Sequence, residues 1–186
     1  MTVLGISGSL RRDSHNTKLL RRAAELLPPS AQLVVYDDLR SIPPYDADED
    51  DHANPLPAVR NLRDVVAAAD AVLIATPEYN GSIPGVLKNA LDWVSRPAGE
   101  SVLRYKPVAV IGASTGQFGG VWAQAELRKV LGVIGARVVD RELPVARANS
   151  AFDEADRLVD PDLDRQLAEI LTELRHEAEI TLAAAA

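Results

Sequence analysis

The chain has 186 residues, of which 47% are hydrophobic and 25% charged, a length and balance that suit one globular domain rather than a disordered segment. It contains no cysteine, which excludes disulfides, thiolate nucleophiles, iron–sulfur ligation and zinc–thiolate sites, so any redox chemistry needs a borrowed cofactor. A net charge of −7 disfavours non-specific nucleic-acid binding, whose affinity comes from Lys and Arg neutralising phosphates, and favours small-molecule partners.

Met1 leads directly into an apolar run, Val3–Ser7, that reads as the first strand. No basic leader or cleavage site precedes it and no run approaches a membrane span, so the expected location is the cytoplasm. A helix is expected from about Asn16 to Leu27, with Leu19, Leu20, Ala23 and Leu27 on one face and Pro28-Pro29 stopping it. Gln32–Tyr36 reads as the second strand. The acidic run Asp46–Asp51 resembles a calcium loop only superficially, because Asp51 fills the slot that needs Gly and Pro57 replaces the terminal Glu. It is expected to be a solvated loop.

Ala71–Thr76 reads as the third strand, and Pro84 opens a helix that buries Val86, Leu87, Ala90, Leu91 and Val94. Trp93 on that helix, like Trp122, is read as a core or interface anchor. Pro107–Gly112 and Arg137–Asp140 supply the last two strands. The final helix, near Asp162 to Ala178, repeats Leu163, Leu167, Ile170, Leu171 and Leu174, and Thr181–Ala186 is expected to fray. Five strands alternating with five helices indicate an α/β fold with a parallel sheet covered on both faces. The order 2-1-3-4-5 follows for one domain of this size, with function in the loops after strands one, three and four.

Each of those loops carries a chemical signal. Ser7–Asn16, SGSLRRDSHN, joins a strand to a helix N-terminus, where free N–H groups and the helix dipole favour an anion. Ser7, Ser9, Ser14, Asn16 and Thr17 add neutral donors, Arg11 and Arg12 add permanent charge, and His15 is a further candidate contact. Neither GxxxxGK[ST] nor GxGxxG is present, so one phosphate monoester fits better than a triphosphate or pyrophosphate. Pro77–Gly85, PEYNGSIPG, is a rigid turn whose Tyr79 can contact a ring face while Asn80 and Gly81 expose backbone donors. Ala113–Gly120 is rich in glycine, which permits close approach of backbone to a ligand.

With GSLRxxSxN at Gly8–Asn16, PEYNGSIPG at Pro77–Gly85, LKNALDW at Leu87–Trp93 and STGxxGG at Ser114–Gly120, the chain resembles the NADPH-dependent FMN reductase family. That family includes bacterial quinone, chromate and azo-dye reductases of flavodoxin-like fold, a three-layer sandwich. The resemblance covers nearly the whole chain. It implies that Ser9, Arg11, Ser14 and Asn16 hold the FMN phosphate. Pro77, Glu78, Tyr79, Asn80 and Gly81 would flank the isoalloxazine ring, with Ser114 on its other side. It also implies NADPH or NADH as co-substrate, a small-molecule electron acceptor and a homodimer or homotetramer. One open flavin face and no second nucleotide domain lead to an expectation of ping-pong turnover with no dedicated catalytic side chain. The alternative is a flavodoxin-type electron carrier, whose acidic surface would dock basic redox partners.

Overall fold

The computed structural model describes residues 1–185. In chain order the elements are β1 (Thr2–Ser7), α1 (His15–Leu26), β2 (Gln32–Tyr36), α2 (Pro57–Ala68), β3 (Ala71–Ala75) and α3 (Gly85–Val94). There follow β4 (Pro107–Ala113), α4 (Val121–Ile134), β5 (Arg137–Val138), β6 (Pro144–Val145) and α5 (Pro161–Ala185). The strands pair in parallel in the order β2-β1-β3-β4-β5, as the alternation of apolar runs and helices implies.

The pleat of the central strands sorts the core into two layers. Leu4, Ile6, Val72, Ile74, Val108 and Val110 pack beneath α2, α3 and α4, with Leu62, Leu87 and Leu127 among their partners. Val3, Ala71, Leu73, Ala109 and Ile111 point the other way, under α1 and α5, against Leu19, Leu20, Leu167, Ile170 and Leu174. Every residue of β3 and β4 is buried. That explains why both read as unbroken apolar runs rather than alternating ones.

The far edge of the sheet departs from the expected strand Arg137–Asp140. Only Arg137 and Val138 form β5, and the chain then leaves the ladder before returning as β6 beside Gly112 and Ala113. Side chains of α4 bridge the gap. Arg128 donates to the carbonyls of Val139 and Arg141, while the fully buried Gln124 accepts from Leu143 N (3.0 Å) and donates to Leu143 O (3.2 Å).

Two other expectations change, and of the two readings of Trp93, core or interface anchor, the first holds. The terminal helix continues past Ala178 through the segment expected to fray, aided by Thr181 donating to Glu177 O (2.9 Å), by Arg137 reaching Glu177 and by the helix preference of Ala and Leu. Residue 186 lies outside the described residues. Trp93 is interior, 1% exposed, its indole N–H donating to Pro43 O at 2.8 Å and its ring edge-on to Tyr45, so it anchors the core and cannot anchor an interface. Within the acidic run Asp50 is not solvated. Its carboxylate is buried against Arg63 (2.8 Å), which also donates to Trp93 O and thereby clamps the run to α3.

Candidate active site at the carboxyl end of the sheet

The loops after β1, β3 and β4 close on one cleft of about 120 Å³. Ser9, Arg11, Ser14, His15 and Asn16 line it from the first loop and the start of α1, Pro77, Glu78 and Tyr79 from the second, and Ala113, Ser114 and Thr115 from the third. Neighbouring strands bring together segments far apart in the chain.

The first loop is held open by its own hydrogen bonds. Gly8 N donates to Ala75 O (2.8 Å), and a Cβ on Gly8 would come to 3.0 Å from the Leu87 side chain and 3.2 Å from Pro77. Ser14 caps α1 by accepting from Asn16 N and Thr17 N, and the first turn carries no acid. The helix therefore presents its positive end with only a neutral cap across it. Arg11 is exposed at the rim and spends one donation on Asp13 O (3.2 Å).

Asn16 lines the cleft, yet both ends of its buried carboxamide are engaged, Nδ2 on Ala113 O (3.0 Å) and Oδ1 on Ala113 N (2.9 Å). It shapes the loop by riveting α1 to β4 rather than by offering a free side chain. His15 stacks on Phe152 (5.9 Å between centroids) and its Nε2 lies 3.2 Å from Asn149 Oδ1. Its Nδ1 is buried with no partner among the described residues. Asn149 and Phe152 were invisible to sequence reasoning because no local pattern links them to a residue more than 130 positions earlier.

In the second loop, Glu78 accepts from Ala123 N (3.0 Å) and so serves the first turn of α4, which has no side-chain cap of its own. Asn80 and Gly81 lie outside the cleft. They form the tip of a two-residue turn, both at positive φ, with Tyr79 and Ser82 bonded to each other in both directions at 3.0 and 3.1 Å. Tyr79 stands half-exposed at the rim. In the third loop Ser114 Oγ accepts from Gly116 N (3.2 Å), and its backbone is fixed on both sides by Val145 and Ala148. Beyond it, Phe118 and Trp122 form an exposed aromatic pair, 5.0 Å between centroids. The glycines of STGQFGG marked this loop, but the pairing depends on the left-handed Gly119 and Gly120 between them.

The donor set suits a phosphate monoester: one guanidinium, small hydroxyls and a helix N-terminus, with the only carboxylate of the cleft, Glu78, occupied by α4. Residues 1–150 match the model of the NADPH-dependent FMN reductase family. An NAD(P)H-dependent FMN reductase of Pseudomonas aeruginosa is 45% identical over 159 residues, covering 85% of this chain and 84% of that protein. A 2-hydroxy-1,4-benzoquinone reductase of a Burkholderia species is 40% identical over 164 residues, 87% of each chain. Among solved structures, FerB, a flavoenzyme NAD(P)H:(acceptor) oxidoreductase from Paracoccus denitrificans, aligns with a TM-score of 0.83 at 33% identity, covering 96% of this chain and 97% of that one.

Proposed function

The chain belongs to the NADPH-dependent FMN reductase family, and from that premise we propose that it moves electrons from NADH or NADPH to a quinone or similar small acceptor by a ping-pong mechanism. FMN, when bound, would supply two-electron redox chemistry between the nicotinamide and the acceptor. The observation that carries the reading is the convergence of three loops on one cleft lined by the anion-ready start of α1.

The protein's own part is binding and orientation. Ser9, Ser14, Arg11 and the first-turn N–H groups of α1 would hold the phosphate, with His15 beside them. Pro77, Glu78 and Tyr79 would flank the ring on one side, with Asn80 and Gly81 shaping the turn that presents Tyr79, and Ser114 on the other. No side chain is needed as acid or base. The exposed Phe118–Trp122 pair gives a planar acceptor an apolar surface near the rim. The relatives named for quinone reduction support that class of acceptor. Assembly as a homodimer or homotetramer and a cytoplasmic location complete the proposal; among the described residues no helix is long and apolar enough to cross a membrane.

Purified protein should be yellow and release about one FMN per chain on denaturation; stoichiometric FAD, or no flavin affinity, overturns the reading. Anaerobic NAD(P)H should bleach the flavin, a quinone should restore it, and double-reciprocal plots at fixed acceptor concentrations should be parallel. Intersecting plots without bleaching favour the electron carrier. Light scattering should return a multiple of the 20.0 kDa chain mass rather than the monomer.

A further inference from the structure

The chain carries two Trp, four Tyr and two Phe. Among the described residues the large aromatic side chains left exposed are Tyr79, Tyr105, Phe118 and Trp122, and three of these four stand around the cleft. Tyr79 lines it. Phe118 follows the lining residue Thr115 by three positions, and Trp122 directly precedes Ala123, whose N–H is bonded to the lining residue Glu78. In a chain with so few aromatics, leaving rings in water at this one place needs an explanation.

The Phe118–Trp122 pair is mounted rigidly. Gly119 and Gly120 between the two rings are both left-handed, Gly119 lies against the Pro144 backbone with no room for a Cβ, and Val121 N closes the turn on Phe118 O (3.2 Å). The rings are tilted by 60° to each other, and each residue remains more than half exposed. Residues 113–123 contain no charged side chain, so what this rim offers a ligand is apolar area.

We propose that the pair selects acceptors with a second, fused aromatic ring, favouring naphthoquinones over benzoquinones. The inference rests on the proposed function, which brings the reacting quinone ring into the cleft. That ring takes up two electrons and two protons to become the hydroquinone, and it must lie against the electron donor while it does so. A one-ring acceptor has no surface left over for the rim. A fused ring extends beyond the reacting one, is chemically unchanged, and can stack on a tilted aromatic face.

The test compares 1,4-benzoquinone with 1,4-naphthoquinone on the flavin-loaded enzyme, always as the ratio of variant to wild type, so that the difference in redox potential between the quinones cancels. Trp122→Ala and Phe118→Ala should each lower kcat/KM for naphthoquinone about three- to tenfold more than for benzoquinone, chiefly through KM. Trp122→Phe should restore most of that difference. A second readout needs no turnover. Trp93 is interior, so naphthoquinone added without coenzyme should quench the emission of Trp122 saturably, at lower concentrations than benzoquinone does, and Trp122→Phe should abolish this saturable quenching. Equal losses for the two quinones, quenching that does not saturate, or losses confined to NADH and NADPH overturn the proposal; the last result gives the pair to the coenzyme. A fall in the light-scattering mass of Trp122→Ala overturns it too, assigning the rings to contact between copies. A protein without flavin or turnover instead overturns the proposed function, and the quenching titration on the flavin-free chain then still decides this one.

Discussion

Two helices, α1 and α4, begin at the same end of the sheet, directly after strands β1 and β4, yet their first turns are treated in opposite ways. At α4 the start is built from two left-handed glycines, Gly119 and Gly120, which offer no side-chain cap, and the carboxylate of Glu78 arrives from another loop to accept from Ala123 N. At α1 the cap is the neutral Ser14, no acid enters the first turn, and Arg11 stands at the rim. One positive helix end faces a carboxylate, and the other faces only the neutral Ser14 hydroxyl, which accepts from Asn16 N and Thr17 N and leaves the dipole without a compensating charge. The fold supplies both dipoles; the loops decide which of them meets a negative charge from the protein itself.

Gly119→Ala should have the largest effect. A Cβ there would lie 2.4 Å from Pro144 C and 2.6 Å from its carbonyl oxygen, at a backbone φ of +62°, so neither the loop nor β6 can yield cheaply. A loss of about 3 kcal/mol or more is expected, read as a shifted denaturant midpoint or failure to accumulate folded protein.

Arg11→Ala comes next and should leave the fold intact. FMN binding should weaken about 10- to 100-fold, because a hydrogen bond to a charged group is worth roughly 1.5–3 kcal/mol and each 1.4 kcal/mol is tenfold. Unchanged affinity in a flavin titration would move the phosphate contacts to the serines.

Glu78→Ala tests the other helix. It strips the acceptor from Ala123 N and should cost about 1 kcal/mol, as loss of a cap does. Added inorganic phosphate should raise the melting temperature of this variant more than that of wild type, since it newly exposes an anion-ready helix end. Identical phosphate effects in the two proteins would show that Glu78 does not occupy an anion position.

The smallest effect concerns the body of α1, where Lys18 and Arg21 pair with Asp156. The Lys18 hydrogen bond, then that of Arg21, lowers the Asp156 pKa below the usual carboxylate value against a partial desolvation cost. A folded-state pKa that is depressed contributes stability above the unfolded value, near 3.9, and loses it as pH falls through the folded value. Asp156→Asn should therefore cost about 0.5 kcal/mol near neutrality, and the difference from wild type should vanish in acid, measured by denaturant midpoints at several pH values.

What could be read from the sequence was what local pattern determines. Unbroken apolar runs located the buried strands, and the glycine- and serine-rich turns located the loops that meet. The missed features all depend on partners distant in the chain. The frayed edge between β5 and β6 is closed by Arg128 and Gln124, side chains of a preceding helix, so no pattern in residues 137–145 could reveal it. Local pattern could not choose between core and interface for Trp93, because its hydrogen-bond partner, Pro43, lies 50 residues away. Asn16 does line the cleft, but its motif position names a residue type and not the atoms it has already engaged.

Asn16 and Gln124 share one device: each presents a carboxamide, a donor and an acceptor side by side, to both backbone groups of a single residue, Ala113 and Leu143 respectively. An amide of this kind neither gains nor loses a proton across the range in which proteins remain folded. The seam that joins α1 to β4 at the cleft, and the one that ties α4 to the chain between β5 and β6, are therefore electrically silent. Protons can come and go with coenzyme and acceptor at the rim without tugging on the masonry behind it. A carboxylate in either place would present two acceptors at neutral pH, forcing one against a backbone carbonyl, and would make that seam a function of acidity.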